Sequence, residues 1–190
     1  WSVTGVQTCA LPICAGHTLS HARRLVQLAL AELAPAAEAV GVSLVIKATQ
    51  AEAGFLTSLS EALSILEVSG CPNVGLAIDL WSYSEELISS QRNSSLLERI
   101  KIVSVADRVK SVSSSSERLP PGFGDLPLVE LLRRVVDSGY CGEVEFDPVG
   151  QTVSSMGYEE LLASLREYVD NVQNCMNVTE VSPQPSLHPQ

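Results

Sequence analysis

The sequence predicts an α/β fold of parallel strands, a partial (β/α)8 barrel of about four units. Helical and β-branched segments alternate strictly along the chain, and strands expected to start near 42, 74, 101 and 142 lie 32, 27 and 41 residues apart. A barrel of eight units built from about 250 residues uses roughly 31 per unit. Antiparallel neighbours would show short hairpins between strands, so intervening helices mean parallel strands with helical crossovers.

The first helix runs from Ser20 to Val40, because Leu25, Leu28, Ala29, Leu33, Ala36 and Val40 fall on one face. Pro35 predicts a kink and Gly41 a left-handed stop, after which Val42 to Ile46 reads as a buried strand ending near Lys47. Leu56, Leu59, Leu63 and Leu66 mark a second helix, Gly70-Cys71-Pro72-Asn73 a turn, and Val74 to Asp79 a second strand. A third helix is expected within Glu85 to Arg99, before a β-branched strand, Ile100 to Asp107.

Ser111 to Gly124 is a Ser-rich loop closing in Pro120-Pro121-Gly122-Phe123-Gly124, longer than ordinary connections. Pro127 suits a helix start, with Leu128, Leu131, Leu132, Val135 and Val136 facing inward. Gly139-Tyr140-Cys141-Gly142 turns into a fourth strand, Glu143 to Asp147, and Tyr158, Leu161, Leu162, Leu165, Tyr168, Val169 and Val172 line a last helix. Met176 to Gln190 has three prolines and no periodicity, and is expected to be a disordered tail.

Trp1 to Ile13 is set aside. Val3 to Ile13, VTGVQTCALPI, resembles a translated sequencing adapter, so the expected organisation is a scar at 1–13, a barrel part at 14–175 and the tail. Of the 190 residues 45% are hydrophobic, which excludes a wholly disordered chain, and a net charge of −10 opposes a nucleic-acid partner. No run approaches the roughly 20 apolar residues of a membrane span, so no membrane is expected. Five cysteines without CxxC or Cys/His spacing point to reduced thiols and a cytoplasmic protein.

Chemistry in parallel α/β folds collects at the carboxyl ends of strands, where the first polar residues here are Lys47, Asp79, Asp107 and Asp147. Three carboxylates and an ammonium could hold a divalent cation or form a salt-bridge cluster. His17, His21 and His188 stand away from these ends, and Cys71 and Cys141, in turns before strands, are expected to be small buried thiols. Trp81 suits either stacking on a sugar or packing beside a strand end.

The segments GVSLVIK, NVGLAIDLWS, IKIVSVAD, ERLPPGFGDLP and GYCGEVEFD, in this order, resemble the sugar phosphate isomerase/epimerase family with a xylose isomerase-like TIM barrel. The more specific parts are Asp79-Leu80-Trp81, the Pro-Gly-x-Gly turn at Pro121 to Gly124 and Gly-Tyr-x-Gly at Gly139 to Gly142. The resemblance implies the C-terminal part of such a barrel, acting in carbohydrate metabolism by metal-assisted proton transfer on a sugar or sugar phosphate.

It implies a divalent metal (Mn, Mg, Co or Zn) held by Asp79 and Asp147, with Asp147 also moving the proton, and substrate binding by Arg118, Ser82 and Trp81. Lys47 stands where the pattern has a first glutamate ligand and Ser104 where it has His or Gln. An ammonium opposes a dication, so the implied metal site is degraded. The alternative is a non-catalytic carbohydrate-binding or scaffold barrel. A barrel part with open sheet edges invites association, hence a homo-oligomer.

Overall fold

The computed structural model describes residues 18–48, 56–89, 94–109 and 117–177. The expected scar at 1–13, the first part of the Ser-rich loop (111–116) and most of the expected tail lie outside these residues. The chain divides into two compact units, at Gly75 and Leu76.

In the first unit α1 (Leu19–Ala39) leads to β1 (Leu44–Lys47), α2 (Leu59–Ser69) and the start of β2 (Val74–Asp79). Thr18 caps α1 by accepting the His21 amide, and Gly41, at φ 71°, follows its end. Pro35 lies inside the helix, which continues past it. Ser58 caps α2 and left-handed Gly70 closes it.

The buried stripe of α1 is not the expected one. Ala22, Leu30 and Ala34 are buried, whereas Leu28 and Leu33 are more than half exposed. The helix has two apolar stripes, and the one with small residues meets α2, where alanines let the two backbones approach. Arg23 pairs with Glu61 across these helices. The Asn73 side chain donates to Ala34 O at 2.7 Å, and the Asn73 main-chain carbonyl accepts from Leu44 N at 2.9 Å, setting β1 beside the start of β2.

The second unit holds the rest of β2, α3 (Leu80–Ser89), α4 (Ser94–Leu97), β3 (Ile100–Val105), α5 (Leu128–Asp137), β4 (Glu143–Phe146), α6 (Gln151–Ser155) and α7 (Tyr158–Asn177). Strands β2, β3 and β4 are neighbours in that order and pair in parallel. Every residue of β2 is buried, while β4, which among the described residues has only β3 beside it, is half exposed. The α/β alternation and the parallel pairing are as predicted.

Helix α3 starts five residues before the expected third helix. Asp79 accepts the Trp81 amide at 3.1 Å, as an N-cap does, so the helix begins at the strand end without a loop. Short α6 was not expected from the sequence. Glu117 supports its start by accepting the Thr152 amide at 2.6 Å. Cys141 is exposed and Cys71 only half buried, so neither is the buried thiol expected: the turns that carry them lie at the surface. No described helix is long and apolar enough to cross a membrane.

Candidate functional site

The register of the second unit places Asp79 of β2 beside Ser104 of β3, and Ser104 beside Glu145 of β4. Paired positions in a parallel sheet face the same side, so these three form a polar row. Asp147, two residues beyond Glu145, belongs to the same side by the period of a strand. Asp79 is 4% exposed and Ser104 fully buried. Burial of so much polarity requires partners.

Arg118 provides them. Its backbone is pinned to Val149 in an antiparallel bridge, N to O at 2.9 Å and O from N at 2.8 Å. Leu119 is pinned likewise to Asp107, at 2.8 and 2.9 Å. From this fixed stem the guanidinium donates through Nη1 to Asp79 Oδ2 at 2.9 Å and through Nη2 to Asp79 Oδ1 at 2.8 Å. Nη2 also reaches both Asp147 oxygens, at 2.7 and 2.8 Å, and Nε donates to the Asp147 carbonyl at 3.2 Å. The two acids therefore share one guanidinium nitrogen.

The remaining polar atoms close the cluster. Ser82 Oγ donates to Asp79 Oδ2 at 2.8 Å. Trp81 donates its indole N–H to Glu117 O at 3.1 Å, with the Arg118 guanidinium carbon 5.3 Å from its ring centre. Burial works against the Arg118 charge, but the hydrogen bonds and negative charges of Asp79 and Asp147 outweigh it, moving the pKa above the ordinary arginine value. Arg118 is a fixed cation.

The residues singled out from the sequence thus divide. Asp79, Trp81, Ser82, Arg118 and Asp147 come together in one cluster. Asp107 does not join it: its carboxylate accepts the amides of Arg108, Gly122 and Leu126 at 2.8, 3.0 and 3.0 Å, which shapes the Pro-Gly-x-Gly turn. Lys47 ends β1 in the first unit. Sequence reasoning missed Glu145, which accepts the Ser104 hydroxyl. The signal was present, because Glu143, Glu145 and Asp147 alternate along β4 and fall on one face.

As arranged, these donors do not fit a divalent ion. Both oxygens of each acid are engaged by Arg118, and Ser104 is committed to Glu145. Among the described residues no group of three or more His, Cys, Asp or Glu could hold a metal. A catalytic centre usually needs at least three protein ligands.

Solved structures share this architecture. The chain is similar to the IolI protein with a bound zinc atom, at 20% identity and a TM-score of 0.67, covering 83% of this chain and 58% of that one. It is similar to D-psicose 3-epimerase with D-tagatose from Clostridium cellulolyticum H10, at 17% identity and 0.67, covering 86% and 60%. It is also similar to the 3-keto-D-glucoside 4-epimerase YcjR from E. coli, at 17% and 0.62, covering 87% and 58%. Likeness at these identities shows the fold, and the chain spans about three-fifths of the length of these proteins. No curated protein sequence matches it. The family model described as xylose isomerase-like TIM barrel matches residues 4–168, and with a match over most of its length the chain belongs to the xylose isomerase-like TIM barrel family.

Proposed function

We propose that this chain carries the sugar-binding part of an isomerase- or epimerase-like barrel, recognising a sugar without catalysing a reaction on it. The observation that supports this reading is the convergence of Asp79, Arg118 and Asp147 beside an indole. Carboxylates and a guanidinium in fixed directions suit vicinal hydroxyls, which both donate and accept, and a Trp face suits the apolar side of a pyranose. The solved epimerases, one of them determined with D-tagatose, are consistent with a small carbohydrate as the partner.

Within the cluster Asp147 is the acid a ligand reaches, because its side chain is 34% exposed against 6% for Asp79. Asp147 accepts a sugar hydroxyl, Trp81 and Ser82 flank it, and Asp79 holds Arg118 from below. Titrating the chain calorimetrically with D-tagatose, D-fructose and D-fructose 6-phosphate tests the proposal. Saturable binding that weakens at least about tenfold in Trp81→Ala or Asp147→Asn, a loss of about 1.4 kcal/mol, supports it. Heat-silent titrations with all three sugars reject it.

A second reading, metal-assisted proton transfer with Asp147 moving the proton, draws support from the closeness of the two acids, which meet at one nitrogen. It requires Arg118 to withdraw and a further donor to join. Turnover of a ketose panel that depends on added Mn²⁺, Mg²⁺, Co²⁺ or Zn²⁺ would establish it over simple binding.

A further inference from the structure

We infer that the Arg118 guanidinium is the resident cation of this site, taking the position of a divalent ion between Asp79 and Asp147 with one positive charge in place of two. The inference concerns the same cluster as the proposed function but needs no sugar, so it stands or falls separately.

Three observations carry it. The acceptor capacity of Asp79 is filled: Oδ1 takes the Trp81 amide and Nη2, and Oδ2 takes the Ser82 hydroxyl and Nη1. An incoming ion would have to break these bonds as well as both bonds from Nη2 to Asp147. It would also meet the guanidinium at close range, where like charges in a partly buried site repel.

The cation has no easy retreat. The Arg118 backbone is pinned to Val149 on one side and its neighbour Leu119 to Asp107 on the other, and Nε is tied to the Asp147 carbonyl. An arginine side chain is always charged in proteins, so it does not leave by losing its proton. Finally, Ser104, between Asp79 and Glu145 in the row, spends its hydroxyl on Glu145, and among the described residues no group of three or more His, Cys, Asp or Glu could hold a metal. An arginine that bridges two strand-end acids supplies a single positive charge where a metal would supply two, with fixed geometry and no dependence on metal supply.

Titration of the intact chain with Mn²⁺ alone, followed by loss of the free-ion EPR signal and by thermal unfolding, tests this. The wild type is expected to show no saturable uptake at Asp79 and Asp147 and no Mn²⁺-dependent rise in Tm. Arg118→Ala, which leaves two facing carboxylates, is expected to gain saturable uptake and a rise in Tm, because a ligand that binds only the folded state stabilises it. Wild-type uptake that disappears in Asp147→Asn overturns the inference, as does a folded Arg118→Ala that takes up no Mn²⁺. If Arg118→Ala does not fold, Arg118→Gln takes its place with the same two outcomes.

Discussion

Asp79 and Asp107 stand at the ends of neighbouring strands and are almost equally buried, at 4% and 1% exposure, yet they hold different things. Asp107 accepts three main-chain amides and shares a backbone bridge with Leu119, so its charge is spent on the shape of a loop. Asp79 accepts two local groups and a guanidinium that a second acid also grips. A buried carboxylate filled by its own backbone is architecture. One filled by a long side chain, next to a more exposed acid, is where a ligand can compete.

The largest effect is expected from Asp107→Ala. Three amides lose a charged acceptor, so unfolding in urea should show a loss of about 3–5 kcal/mol. Gly124→Ala should follow, because a Cβ there would lie 2.5 Å from Asp107 Oδ1 and 2.6 Å from the Arg108 carbonyl, which cannot easily move. A cost of about 2–3 kcal/mol is expected from such crowding. Gly157→Ala, with nothing within 4 Å, is the control.

Arg118→Lys keeps the charge and loses the planar fork that serves two acids. About 1–2 kcal/mol of stability should go, read from the urea midpoint, with a larger relative loss of sugar affinity than Asp107 loop variants cause. If both regions respond alike, the distinction between loop architecture and ligand site fails.

The smallest effect belongs to Glu117. The amide of Thr152 at the start of α6 lowers its pKa below the ordinary 4.5. A depressed carboxylate contributes stability that is present above its unfolded pKa and lost as pH falls through its folded one. Glu117→Gln should therefore be slightly less stable than wild type at neutral pH, with the difference closing in urea titrations as pH falls below the ordinary carboxylate range.

Much of this was legible in the sequence because strand ends announce themselves. A β-branched run followed by a first polar residue located Asp79, and the same rule located Asp107 and Asp147. The rule is blind to partners, which is why it treated Asp107 as equal to Asp79: the amides that fill Asp107 come from Gly122 and Leu126, fifteen and nineteen residues on. Arg118 came from the Pro-Gly-x-Gly context, but its bridge to Val149 is a non-local pairing that no periodicity signals.

Helical periodicity found α1 and misjudged its face. Leu28 and Leu33 outweigh Ala22 and Ala34 in hydrophobicity, yet close approach to α2 selects the small side chains. Glu145 was readable from its alternation with Glu143 and Asp147, but a rule that selects the first polar residue after a strand picks out Asp147 alone. Its role depends on Ser104 lying opposite, a matter of register.

The account rests on Arg118 occupying the space between Asp79 and Asp147. Crystals grown in millimolar MnCl2 and measured at the manganese absorption edge examine that space directly. The prediction is continuous guanidinium density joining the two carboxylates and no anomalous peak between them. A peak within about 2.6 Å of oxygens from both acids, a coordination distance for a hard cation, with Arg118 turned away, would contradict it.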